Sequence, residues 1–177
     1  MKTTSSLHTL TQIGLIAALY AVLTLCLPMA SFGSIQIRFS EALTVLAVFG
    51  RKPILGLTLG CALANAIGLS LGMNIAGAWD IAVGSAATLI AALLSYAMRR
   101  VTFKGLPLLA VWPPVLINAV VIGGELNLVL CGGAWESYPL FALQIGLGQL
   151  IPCVVGGCVV AKAVQKSKSV QKMLMHR

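Results

Sequence analysis

The chain has 177 residues, of which 59% are apolar and only 9% charged, with twelve basic residues against four acids and a net charge of +8. Soluble domains run at roughly 45 to 50% apolar and about 25% charged, so the composition excludes an ordinary soluble domain and describes an all-α integral membrane protein of the cell membrane. The positive charge does not announce a nucleic-acid partner either, because the basic residues fall in short clusters between apolar runs, the pattern that a lipid bilayer imposes, rather than on one polar face.

The first apolar run, residues 7–28, is about 22 residues or roughly 33 Å as a helix, enough to cross a bilayer. Lys2 before it and Met29-Ala30-Ser31 after it suggest a signal peptide, but the run exceeds the usual core of about 7 to 15 residues. Gly14, Ala17, Ala18 and Ala21 follow i, i+3, i+4, i+7 and line one face with small side chains, a docking stripe for another helix. Spacing alone does not say whether that helix belongs to this chain or to another protein.

The second run, residues 39–50, would measure only about 18 Å as an α-helix, so it counts as a span only if the loop before it dips into the membrane. Backbone at that depth must be satisfied by protein or line a cavity, so Phe32 to Arg38 is expected to line a pocket. Arg38 is the single basic residue outside the clusters and termini, and Glu41 is one of the four acids. Three residues apart at a helix start, they either pair with each other and merely fix a loop, or present a donor fork and an acceptor to a polar ligand.

Arg51-Lys52-Pro53 breaks the chain before a third span, 54–70, which carries Gly56 and Gly60 at GxxxG spacing and Asn65 placed to bond a neighbouring helix. A glycine-containing connection leads to a fourth span, 78–98, whose first turn holds Trp79 and Asp80. A carboxylate there suits the helix dipole, and a tryptophan suits the membrane interface. Arg99, Arg100 and Lys104 follow. The fifth span, 106–130, has Trp112-Pro113-Pro114 near its start and places Asn118 and Glu125 on one face. After Trp135, Glu136 and Tyr138, a sixth span covers 138–161, and the tail carries Lys162, Lys166, Lys168, Lys172 and Arg177.

Six spans with both termini cytoplasmic put eleven of the twelve basic residues on the inside, provided the short second helix is counted. The same topology gathers Arg38, Glu41, Asp80, Glu125 and Glu136 toward the outer half. Ionisable groups in a membrane are costly and default to function, so the expected object is an outward-opening cavity for a small polar solute, with Trp79, Trp135 and Tyr138 available to stack on a flat ligand. No GxxxxGK[ST] phosphate cradle occurs, and no internal repeat of the secondary-transporter kind is evident. The five cysteines sit in apolar surroundings without a CxxC, and the only histidines, His8 and His176, lie near opposite ends. Neither a metal centre, a cofactor site nor a nucleophile–base pair is therefore expected, which argues against an enzyme. The competing function is an autonomous secondary transporter or channel.

Several blocks carry a family resemblance: Ala17 and Ala21 in the first helix, Ile37-Arg38-Phe39-Ser40-Glu41-Ala42-Leu43, Trp79-Asp80, Trp112-Pro113-Pro114-Val115-Leu116-Ile117-Asn118 and Gly124-Glu125-Leu126. Together they resemble the queuosine-precursor (QueT-type) substrate-binding S components of energy-coupling factor transporters, over nearly the whole chain. One position departs, Gln149, where the family pattern frequently has glutamate. The resemblance implies a substrate of the 7-deazaguanine class, held by some of Arg38, Glu41, Trp79, Asp80, Asn118 and Glu125. It also implies a transmembrane coupling subunit docked on the Gly14, Ala17, Ala18 and Ala21 stripe, driven by two ATPase subunits.

Overall fold

In the computed structural model, residues 2–33 and 35–175 are described; Met1, Ser34, His176 and Arg177 lie outside the described residues, as do the side chains of residues 2–6. Among the described residues, five helices are long and apolar enough to cross a membrane. The first, α1 (Lys2–Leu25), stops short of Pro28, whose ring disfavours helix in the residue before it. A single turn, α2 (Pro28–Ser31), then leads into the loop. Next come α3 (Lys52–Ser70), α4 (Trp79–Ala97) and α5 (Trp112–Cys131). The expected start of the fifth span at residue 106 is moved to Trp112. Phe103 and Leu106 instead close a tight turn through Lys104 and Gly105, both at positive φ. Pro113 and Pro114 then occupy the first turn of α5, where their missing N–H groups cost nothing.

The last span is one rod in three windings: α6 (Tyr138–Leu150), a π-helical stretch Ile151–Gly156, and α7 (Gly157–Lys166). Pro152 explains the middle part, since it removes one backbone donor and crowds the carbonyl a turn earlier, which the wider winding relieves. The basic tail, read from sequence only as a charge run, forms an amphipathic helix α8 (Lys168–Met175), with Val170, Met173 and Leu174 folded back onto the core.

The short second run is the centre of the molecule. It is an 11-residue 3₁₀ helix, Phe39–Phe49, packed against α1, α3, α4, the π-helical stretch and α7. At about 2.0 Å per residue this winding covers roughly 22 Å, more than the roughly 17 Å that the same 11 residues would cover as an α-helix. Its first residues adjoin the start of α4 through Arg38 and Asp80, and its last share a cavity with Tyr96 and Arg99 at the end of α4. The stretched winding thus lets a short segment accompany most of a 19-residue helix.

Close helix approach comes from glycine. A Cβ on Gly56 would stand 2.8 Å from the Ile16 Cβ, and one on Gly60 would stand 2.7 Å from the Tyr20 Cβ and 2.8 Å from the Ala17 oxygen. The GxxxG face of α3 is therefore the partner of α1. Ala17 and Ala21 are buried, while Gly14 and Ala18 stay exposed. This corrects the docking stripe: Ala17, against Gly60, and Ala21 are buried within the chain itself.

Candidate functional site

In the loop between α2 and the 3₁₀ helix, Phe32, Gln36 and Arg38 are buried while Ile35 is exposed. The tip of the Phe32 ring lies so close to α3 that a Cβ on Gly68 would come within 2.6 Å of it. The Ile37 amide donates to the Ala30 oxygen at 2.8 Å. The Gln36 carbonyl rests on Gly148 of α6, where a Cβ would stand only 2.5 Å away, and accepts a long bond of 3.4 Å from Gln149 Nε2. Protein groups thus satisfy the Gln36 carbonyl and the Ile37 amide of this non-helical stretch.

Arg38 pins this loop. Its Nε donates to the Ser31 oxygen at 3.0 Å, its Nη2 to Asp80 Oδ2 at 2.8 Å, and its guanidinium lies 5.5 Å from the centroid of the Phe32 ring. Asp80 Oδ2 also accepts from Asn74 Nδ2 at 2.9 Å, and the Asp80 carbonyl accepts from Asn65 Nδ2 at 2.6 Å. Both charges are almost fully enclosed, at 3% and 0% exposure. Asn65 performs the bond between helices that its position in α3 suggested. Asn74 was not singled out in the sequence, where an asparagine in a glycine-containing connection reads as a turn residue.

The pairing of Arg38 with Glu41 does not form. Arg38 precedes the 3₁₀ helix with extended backbone, φ −97° and ψ 103°, so the helical neighbour rule for residues three apart does not apply to it. Glu41 points instead toward α1, accepting from the Tyr20 hydroxyl on one oxygen and from Thr44 Oγ1 at 2.8 Å on the other. Thr24 and Ser40 extend that buried network, their hydroxyls 2.7 Å apart. A tyrosine or threonine in an apolar helix gives little sign of such a role until its partner is known.

A second group forms between α4 and α5. A cleft of about 360 Å³ is lined by Trp79, Val83, Val121, Gly124, Glu125 and Leu128, among others. Glu125 is 7% exposed, and neither of its carboxylate oxygens has a hydrogen-bond partner among the described residues. Trp79 is 72% exposed and stands at the rim. Asn118 is buried two turns earlier on α5 and does not line the cleft. The six candidate ligand residues thus divide into an Arg38–Asp80 clamp, a Glu41 network, a Trp79–Glu125 cleft, and Asn118 apart from these.

These groups differ in what they have left to offer. Glu41 has a donor on each oxygen. Asp80 keeps one free acceptor, since its Oδ1 is without a partner among the described residues. Glu125 keeps both, and an enclosed carboxylate with no donor is expensive unless something arrives to supply one. The chemistry this favours is capture of a ligand edge carrying two adjacent N–H donors, or a cation. Among the described residues no cluster of three metal-ligating side chains exists.

Over residues 10–166 the chain matches the family described as QueT transporter. The queuosine precursor transporter QueT of Lactococcus lactis subsp. cremoris (strain MG1363) is 35% identical over 89 residues, 49% of this chain and 48% of that relative. The chain therefore spans about half the length of the curated relative it matches. No solved structure matches. Family and relative are transporters rather than enzymes, and five long apolar helices make this a multi-pass membrane protein. With a family match over most of its length, the chain belongs to the QueT transporter family.

Proposed function

We propose that the protein is the substrate-binding S component of an energy-coupling factor importer, capturing a queuosine precursor of the 7-deazaguanine class from outside the cell. The observation that carries this reading is Glu125, an enclosed carboxylate whose two oxygens have no partner among the described residues, facing a cleft beside Trp79. A guanine-type edge places a ring N–H beside an exocyclic amine, which matches two carboxylate acceptors, and its flat face suits the indole. Asp80, with one acceptor spare, would take a further donor, and Arg38 holds Asp80 in place. Trp79 and Asp80 are neighbours at the start of α4, so the cleft and the clamp belong to one end of the molecule.

Six spans with both termini cytoplasmic complete the proposal. The 3₁₀ helix runs from the Asp80 end of α4 to its Arg99 end, and the cations Arg51, Lys52 and Arg99 meet there, which supports counting it as a span under the positive-inside rule. The exposed Gly14 and Ala18 on α1 are the remaining open part of the small-residue stripe, available to a transmembrane coupling subunit served by two ATPases. The experiment has two arms. Mass spectrometry of the detergent-extracted protein should find a copurified 7-deazaguanine compound, and proteoliposomes holding this chain alone should bind that compound without accumulating it. Unaided accumulation would make the chain an autonomous transporter instead.

A further inference from the structure

The far end of α4, about 25 Å from Asp80 along the helix, holds a cavity of a different character. It encloses about 580 Å³ where the 3₁₀ helix passes into α3, and Arg51, Lys52 and Arg99 line it together with Tyr96, Phe49 and Met175. None of the carboxylates among the described residues lines it. The three cations are held in place by neutral groups. The Arg99 guanidinium stacks 3.9 Å from the centroid of the Tyr96 ring and donates from Nη1 to the Tyr96 oxygen at 2.7 Å. The Arg51 guanidinium lies 5.9 Å from the centroid of the same ring, and Lys52 Nζ donates to Gln12 Oε1 at 3.1 Å.

An arginine has five N–H donors, so most of the fork on each arginine is unspent among the described residues. Two guanidiniums sharing one ring beside an ammonium repel each other, and a multiply acceptor-bearing anion between them removes that repulsion while filling the free donors. Phe49 and Met175 give the cavity an apolar wall next to the charges. Basic pockets between transmembrane helices, with apolar surface beside them, are the arrangement that receives anionic headgroups. We propose that this cavity binds a phosphate-bearing anion, supplied either by the headgroup of an anionic membrane lipid or by free phosphate.

Native mass spectrometry of the detergent-released full chain tests this, titrating phosphatidylglycerol, phosphatidylcholine and, separately, inorganic phosphate. The expected result is more phosphatidylglycerol than phosphatidylcholine bound. Arg51→Gln/Arg99→Gln should lower the phosphatidylglycerol adduct about tenfold, whereas Lys104→Gln/Lys168→Gln, the same change of charge outside the cavity, should leave it within about twofold. A phosphate adduct that disappears only in Arg51→Gln/Arg99→Gln, without preference between the lipids, supports the site with free phosphate as its source. Equal lipid adducts with no phosphate adduct, or equal losses in the two charge-matched variants, overturn the proposal. Arg51 is exposed, so Arg51→Gln alone serves if the double variant does not fold, and unchanged adducts in it overturn the proposal equally.

Discussion

Removing either end of the Arg38–Asp80 clamp should destabilise the protein far more than removing both. Each charge is nearly inaccessible, and Asp80 Oδ2 takes donors from Arg38 and Asn74 together. Asp80→Leu leaves a guanidinium buried with only the Ser31 oxygen to bond, and Arg38→Met leaves a carboxylate with only Asn74. Breaking a buried pair in this way costs about 3 to 5 kcal/mol. At about 2 to 4 °C per kcal/mol for a chain of this size, each single variant should melt roughly 6 to 20 °C lower. Arg38→Met/Asp80→Leu removes both charges from a dry site and should recover at least about half of that loss, because neither charge is stranded. The assay is thermal unfolding of ligand-free protein in one detergent, followed by tryptophan fluorescence and completed as a double-mutant cycle. Losses that simply add, or single variants that melt with the wild type, would refute the clamp as the tie between loop and α4.

Four further outcomes follow from the same geometry. Glu125→Ala should weaken ligand binding by about 2 to 5 kcal/mol, roughly 30-fold to several thousand-fold by calorimetry, with Glu136→Ala nearly neutral; normal affinity in well-folded Glu125→Ala would move the contact to Asp80. Gly148→Ala drives a methyl into the Gln36 carbonyl and should cost about 1 to 3 kcal/mol, so an unchanged melting temperature would mean that the loop does not rest on α6. Ala17→Leu should lower the melting temperature by overpacking the α1–α3 seam, whereas Ala18→Leu should leave folding and ligand binding intact and reduce ATP-driven uptake. Full uptake in Ala18→Leu would remove that face from the coupling surface. A cysteine at Ser137 in a cysteine-free background should react with an impermeant thiol reagent outside intact cells, and one at Ser167 should not; labelling at Ser167 would invert the orientation.

Run length and punctuation made much of this architecture legible in the residues. Pro113 and Pro114 sit in a first helical turn, Gly56 and Gly60 mark a seam, and Asn65 bonds another helix, each for a reason local to its position. That Arg38 turns inward also followed from a run too short for an α-helix and a charge that needed company. Winding was not legible, since an apolar segment such as Phe39–Phe49 reads alike as α or 3₁₀ and only the length of its neighbours favours the stretched form. Partner choice was not legible either. Arg38 finds Asp80 across 42 residues rather than Glu41 across three, because extended backbone at Arg38 turns its side chain away from the helix that follows. Glu125 stood out by interrupting an apolar helix, but that both its oxygens lack a partner among the described residues emerges only from the packing of α4 against α5.

The claim at the centre is that Glu125 receives the two-donor edge of a 7-deazaguanine. Calorimetric titration of the purified protein with a 7-deazaguanine base and with its counterpart lacking the 2-amino group addresses it directly. The first should bind saturably at one site per chain. The second should bind about 10- to 100-fold more weakly, since one enclosed carboxylate oxygen is then left without a donor. No binding of either base, or equal affinity for both, would contradict it.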